Sequence, residues 1–164
     1  MLAVNAFYPA TMRRQFAKDL YDLMIKDENI ILITADLGYG MCDKIRNDMP
    51  EQFYNVGAAE QAALTVAVGM ALSGKIPVVY SITPFLIFRP FEAIRNYLDH
   101  ENIPVILVGG GRGEDYLHLG FSHFATDHEI LKQFKNIQFI VPENEFNLSE
   151  IIYSGKPAYL NLKR

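Results

Sequence analysis

Apolar residues recur along this chain in two alternating rhythms. In residues 12–26 (MRRQFAKDLYDLMIK) Phe16, Leu20, Leu23 and Met24 fall on one face at helical spacing, which predicts an amphipathic helix. Residues 29–35 (NIILITA) are a short aliphatic run of the kind that a parallel strand covered on both faces shows, and the run stops at the turn-rich DLGYG. A weaker helix is predicted over residues 42–49 and a short strand in QFYNV. AAEQAALTVAVGMALSG follows, small and apolar throughout and ended by Gly74, so it reads as a helix that should be largely buried. IPVVYSI is a third strand, PFLIFRPFEAIRNYLDH a helix with an aromatic face, and IPVILVGGG a fourth strand running into glycines. Residues 127–134 read as a helix, IQFIVP as a strand, residues 143–153 as a helix and AYLNL as a last strand.

Strand alternating with helix over the full length predicts an α/β fold, doubly wound, with a mostly parallel sheet and helices on both faces. A chain of 164 residues, half of them hydrophobic, is long enough for one domain with a full core, spanning residues 1–164, and too short for two. Ligands of such sheets sit at the carboxyl ends of the strands. The candidate chemistry therefore lies in DLGYG, NVGAAEQ, SITPFLIF and GGGRGEDYLHLGFSH, each of which follows a strand.

The net charge of −4, with Lys and Arg scattered, offers no basic stripe for nucleic acid, and no apolar run is long enough to span a bilayer. MLAVNAFYPATMRRQF lacks the plan of a secretion signal, so a cytoplasmic location is expected. The single cysteine, Cys42, has no partner for an internal disulfide and no zinc-spaced neighbours, and reads as a small hydrophobe.

Familiar motifs fail one after another. The glycines of GGGRGED do not give GxGxxG, and no GKS or GKT follows them. His118, His123 and His128 are spaced five apart without HxxxH or CxxC, which supports zinc weakly, and no serine sits in a GxSxG elbow. Two features remain. Glu60 stands at the start of a small-residue helix, and Phe85, Phe88 and Phe91 recur every third residue one strand later. On the residues alone, Glu60 is either a helix-start acid favoured by the dipole or a site acid, and the phenylalanines are either core or a pocket wall.

NVGAAEQ and PFLIFRPFEAIR, in this order and spacing and supported by ADLG and GFSH, resemble the pyrimidine-binding domain of the transketolase family of thiamine diphosphate enzymes. The resemblance runs from MRRQF to the last strand. It implies that Glu60 hydrogen-bonds a ring nitrogen of the cofactor's aminopyrimidine, that Phe85, Phe88 and Phe91 receive that ring with Phe88 as the stacking partner, and that His123 lies near the reacting carbonyl. A carboxyl group held away from water disfavours its ionised form and can share a proton with such a nitrogen, which activates the cofactor for its carbanion chemistry. The small Gly57, Ala58 and Ala59 would let backbone and cofactor approach closely.

Further positions match in part. Asp36 in ADLG falls where the family has an acid near the cofactor, and Arg164 where it has a phosphate-contacting arginine. Leu119 stands where sugar-using members carry an aspartate, and a histidine of the sugar site, expected around Gly111, is missing. The family's diphosphate domain, with its GDG motif for magnesium, is not in this sequence. The resemblance therefore implies a split enzyme. A separate partner chain would bind the diphosphate and magnesium, in a heterotetramer with two copies of each chain. The expected reaction is transfer of a two-carbon ketol unit between sugars. The alternatives are decarboxylation of, or acyl transfer from, a 2-oxo acid, or a non-catalytic interaction subunit.

Overall fold

The computed structural model describes residues 11–164; the start of the stretch read for a secretion signal, residues 1–10, lies outside them. Helix α1 (Met12–Met24) begins at Thr11, whose hydroxyl accepts from the Arg14 amide, and buries Phe16, Leu20 and Met24. Strand β1 (Ile30–Thr34) is buried along its whole length and leads through the DLGYG loop to α2 (Asp43–Asp48), then β2 (Phe53–Asn55) and α3 (Glu60–Leu72). There follow β3 (Ile76–Ile82), α4 (Thr83–Phe88) and α5 (Phe91–Ala93), the last continuing as a π-helical stretch over Ile94–His100. The chain closes with β4 (Ile106–Gly110), α6 (Asp127–Leu131), β5 (Gln138–Ile140), α7 (Leu148–Ile152) and β6 (Ala158–Leu162).

The six strands form one sheet in the order β2-β1-β3-β4-β6-β5, with every pair parallel. Side chains alternate between its faces, so the inner strands β1, β3, β4 and β6 each feed two cores. Ile31, Ile33, Val79, Leu107 and Tyr159 pack under Leu64, Ala67, Leu86 and Ile94, from α3, α4 and the π-helical stretch after α5. Leu32, Val78, Val108 and Leu160 pack under Phe16, Leu20, Ile45, Leu148 and Ile152, from α1, α2 and α7. This is the doubly wound arrangement that the alternating rhythm predicts.

Three local expectations are corrected. Helix α3 is not largely buried. Glu60, Ala63, Leu64, Ala67 and Val68 face inward, while Val66 is 41% and Leu72 72% exposed, because the sheet covers only one side of the helix. The aromatic helix is broken after Phe88, since Pro90 has no amide hydrogen with which to continue it. The last two predicted helices shorten to five residues each, α7 starting only where the Asn147 side chain accepts from the Glu150 amide.

The glycines of IPVILVGGG serve packing. A Cβ on Gly109 would stand 2.5 Å from the Tyr159 hydroxyl oxygen and 2.6 Å from Thr83 Oγ1, so only glycine lets α4 start this close to β4. Beyond the strand, Thr83 Oγ1 donates to the Gly111 carbonyl at 2.7 Å. The π-helical stretch delivers Asp99 to the segment before β5, where its Oδ1 accepts from the amides of Lys135 at 2.7 Å and Asn136 at 2.8 Å.

Candidate active site

The acid of NVGAAEQ is held from two other elements. The chain leaves β2 at Asn55, turns at Gly57 with φ +74°, and enters α3 at Glu60, whose side chain is 2% exposed. Because α3 packs on β3, its first residue lies over the carboxyl end of that strand. Glu60 Oε1 accepts from Ser81 Oγ at 2.9 Å, and Oε2 accepts from an Arg89 terminal nitrogen at 2.5 Å. A buried carboxylate without such partners would be costly; here both oxygens are satisfied and the charge is balanced.

Arg89 occupies the break between α4 and α5. Its guanidinium carbon lies 4.0 Å from the centre of the Phe85 ring, which also meets the His123 ring edge-on at 4.9 Å and 70°. Glu60, Arg89, Phe85 and His123 therefore form one connected group. Ser81 and Arg89 did not emerge from the sequence. A lone cation inside PFLIFRPF, directly before the proline that ends the helix, was the available signal for Arg89.

The phenylalanines do not form one cluster. Phe85 is half-buried in the Glu60 group, Phe88 is 43% exposed, and Phe91, turned away by the break at Pro90, packs on Phe134 with ring centres 5.7 Å apart. His123 sits in a short 3-10 turn, its Nδ1 3.2 Å from Ser122 Oγ. His118 is exposed beside Tyr116, and the side chain of His128 lies outside the described residues. Among the described residues no three His, Cys, Asp or Glu side chains are gathered to hold a metal ion.

Asp36 adopts φ +54° and is exposed; its amide donates to Asn55 Oδ1 at 3.0 Å, and its carboxylate accepts from the Tyr39 hydroxyl at 2.6 Å. Asn55 Oδ1 also accepts from the Gly57 amide at 3.0 Å, so one side chain ties the DLGYG loop to the NVGAAEQ loop. Arg164 belongs to another group. Its amide and guanidinium donate to Asp115 at 3.0 and 3.2 Å, and it lies 5.1 Å from the centre of the Tyr116 ring, whose hydroxyl accepts from Arg13 at 2.6 Å. Arg164, Arg13, Arg14, Lys18 and Lys44 line a groove of about 1220 Å³ beside α1. Leu119 is 55% exposed and Gly111 buried. Cys42 is buried, and burial followed by the nearby Asp43 pushes its thiol up to about 12, which makes it inert as a nucleophile.

The arrangement is a buried carboxylate at the carboxyl end of β3, joined through Arg89 to a flat aromatic face. It suits a planar ligand that brings an N–H donor to the acid and lays a face on the ring.

Comparison with known proteins identifies the family. The family model of the transketolase pyrimidine-binding domain matches residues 9–155. A putative transketolase C-terminal section of Methanocaldococcus jannaschii is 31% identical over 100% of this chain and 54% of its own length. One of the subunits of the apulose-4-phosphate transketolase of Actinobacillus succinogenes is 34% identical over 70% of this chain and 39% of its own. A solved split-gene transketolase, described as an inactive β4 tetramer, superposes with a TM-score of 0.79 at 26% identity, over 94% of this chain and 51% of that one. The chain thus spans about half the length, or less, of the relatives it matches. With the matched domain covering nearly all of it and the fold in agreement, the chain belongs to the transketolase pyrimidine-binding domain family.

Proposed function

We propose that this chain is the pyrimidine-binding subunit of a split, thiamine diphosphate-dependent transketolase-like enzyme, a transferase that moves a two-carbon ketol unit between sugars and works only with a partner subunit. The observation that carries the reading is Glu60. It is 2% exposed, anchored by Ser81 and joined through Arg89 to the Phe85 ring at the ligand end of a parallel sheet. Its second oxygen is held only by the half-exposed Arg89, which leaves that side of the acid open to a ligand arriving from solvent.

The residues fit the aminopyrimidine. Glu60 supplies a buried acceptor and Phe85 a flat apolar face. A Cβ built on Gly57 would meet nothing within 4 Å, which leaves the approach over the loop open. When bound, thiamine diphosphate supplies the carbanion-stabilising thiazolium. Glu60 holds the proton shared with the ring nitrogen at its carboxylate, and Ser81 fixes the carboxylate plane through Oε1. Phe85 excludes water from that hydrogen bond, and the exposed Phe88 offers a second ring to the ligand, whereas Phe91, packed on Phe134, stands outside that wall. His123, edge-on to Phe85, would meet the substrate carbonyl. Asp36, on the loop tied to NVGAAEQ by Asn55, would contribute to holding the cofactor, and Arg164 would bind a substrate phosphate.

The partner subunit holds the diphosphate and magnesium, and two copies of each chain assemble in the cytoplasm. The names of relatives that are themselves sections or subunits support the split. Native mass spectrometry of the tagged chain, recovered from its own cells with thiamine diphosphate and magnesium present, tests this. The expected result is a larger second chain in equal number with cofactor bound. A bare homo-oligomer without cofactor would overturn it.

A further inference from the structure

We infer that Arg89 and the cofactor's aminopyrimidine compete for one place: the Arg89 guanidinium satisfies the two contacts, with Glu60 and Phe85, that the ring needs, and it must swing out for the ring to enter. The inference rests on the function proposed above. A guanidinium is planar and carries N–H donors in its plane. One of these lies 2.5 Å from Glu60 Oε2, and the central carbon lies 4.0 Å from the Phe85 ring centre. That is the recognition pattern of a heteroaromatic ring on an acid and an aromatic wall. Facing flat groups touch at about 3.5–4.0 Å, so no third layer fits between Arg89 and Phe85. Ser81 already donates to Oε1, so the approach to Oε2 is the one under dispute.

The pair is built to open on one side only. The Arg89 side chain is 44% exposed and that of Glu60 is 2% exposed. On leaving, Arg89 returns to water at little cost, whereas Glu60 stays buried and must be given another donor. A ligand that stacks on Phe85 but offers no donor leaves a buried charge unpaired and is rejected. Arg89 is thereby a positioning and selecting residue. Because it stands in the break before Pro90, its movement is a side-chain rotation that disturbs no helical turn.

Calorimetric titration of the two-chain complex with thiamine diphosphate and magnesium tests the competition, using wild type, Arg89→Met and Arg89→Lys. Met keeps the stem without charge or donor, and Lys keeps the charge without the flat face. Both variants are expected to bind the cofactor more tightly, Met by about tenfold in Kd, and the cofactor is expected to raise the melting temperature of Arg89→Met more than that of wild type. Rising salt, which weakens a half-exposed ion pair, should tighten binding to wild type relative to Arg89→Met. If Arg89→Met does not fold, tighter binding by Arg89→Lys carries the test. Unchanged or weaker binding by the folded variants, with wild type binding normally, overturns the competition and leaves the proposed function standing. Absence of binding by wild type and variants alike overturns both.

Discussion

Ser81, at the end of β3, donates its hydroxyl to Oε1 of Glu60 at 2.9 Å, so the acid at the start of α3 is oriented by a strand that follows it in sequence. Replacing Ser81 by Ala strips a donor from a buried carboxylate. Urea denaturation of Ser81→Ala should show a loss of about 1–3 kcal/mol, and an unchanged midpoint would mean that water takes the hydroxyl's place.

Glu60→Gln retains shape but replaces one of two acceptor oxygens by an amide nitrogen, and it cannot hold an exchangeable acid proton. The assembled enzyme carrying it should keep its subunit composition and lose at least about 100-fold in turnover, in the range of general acid–base contributions. Turnover within about twofold of wild type would remove Glu60 from the mechanism.

Gly109 faces the Tyr159 hydroxyl and Thr83 Oγ1 at distances that no Cβ tolerates. Gly109→Ala should destabilise the fold by about 1–3 kcal/mol through overpacking. Adding Tyr159→Phe removes the clashing oxygen, so the double variant should lose less than the sum of the two single losses. Simple additivity would show that the strand shifts instead.

Cys42 and Tyr80 make the fold sensitive to alkali. Burial lifts both, the thiol from 9.0 and the phenol from 10.0, each to about 12. Above pH 9 the unfolded chain releases protons that the folded chain keeps, so the contribution of these two groups is constant below that pH and is lost between pH 9 and 12. Denaturation midpoints across that window check the sign. At pH 8 the Cys42 thiol should resist alkylation until the chain unfolds.

The strands were legible because runs such as NIILITA and IPVVYSI have no other economical reading in a short, apolar-rich chain. The start of α3 was legible to within two residues: the run AAEQAAL begins the helix at Ala58, whereas Glu60 is the first helical residue. Arg89 was hidden because its role depends on where the helix breaks relative to the end of β3, and spacing along one element cannot report a contact between two. The same break defeats the every-third-residue pattern: Phe85 and Phe91 lie on opposite sides of Pro90 and face different neighbours. An apolar helix such as α3 announces that it is to be covered, and says nothing of whether the cover comes from its own chain.

The π-helical stretch over Ile94–His100 behaves like a spliced-in residue that the fold has put to use. Its wider turn aims Asp99 at the amides of Lys135 and Asn136, fastening the segment that leads into β5, the outermost strand beside β6. Excising one residue there would restore a regular helix and rotate everything downstream by about 100° around the helix axis, Asp99 included. A change that makes the local backbone more regular would thus unfasten an edge of the sheet.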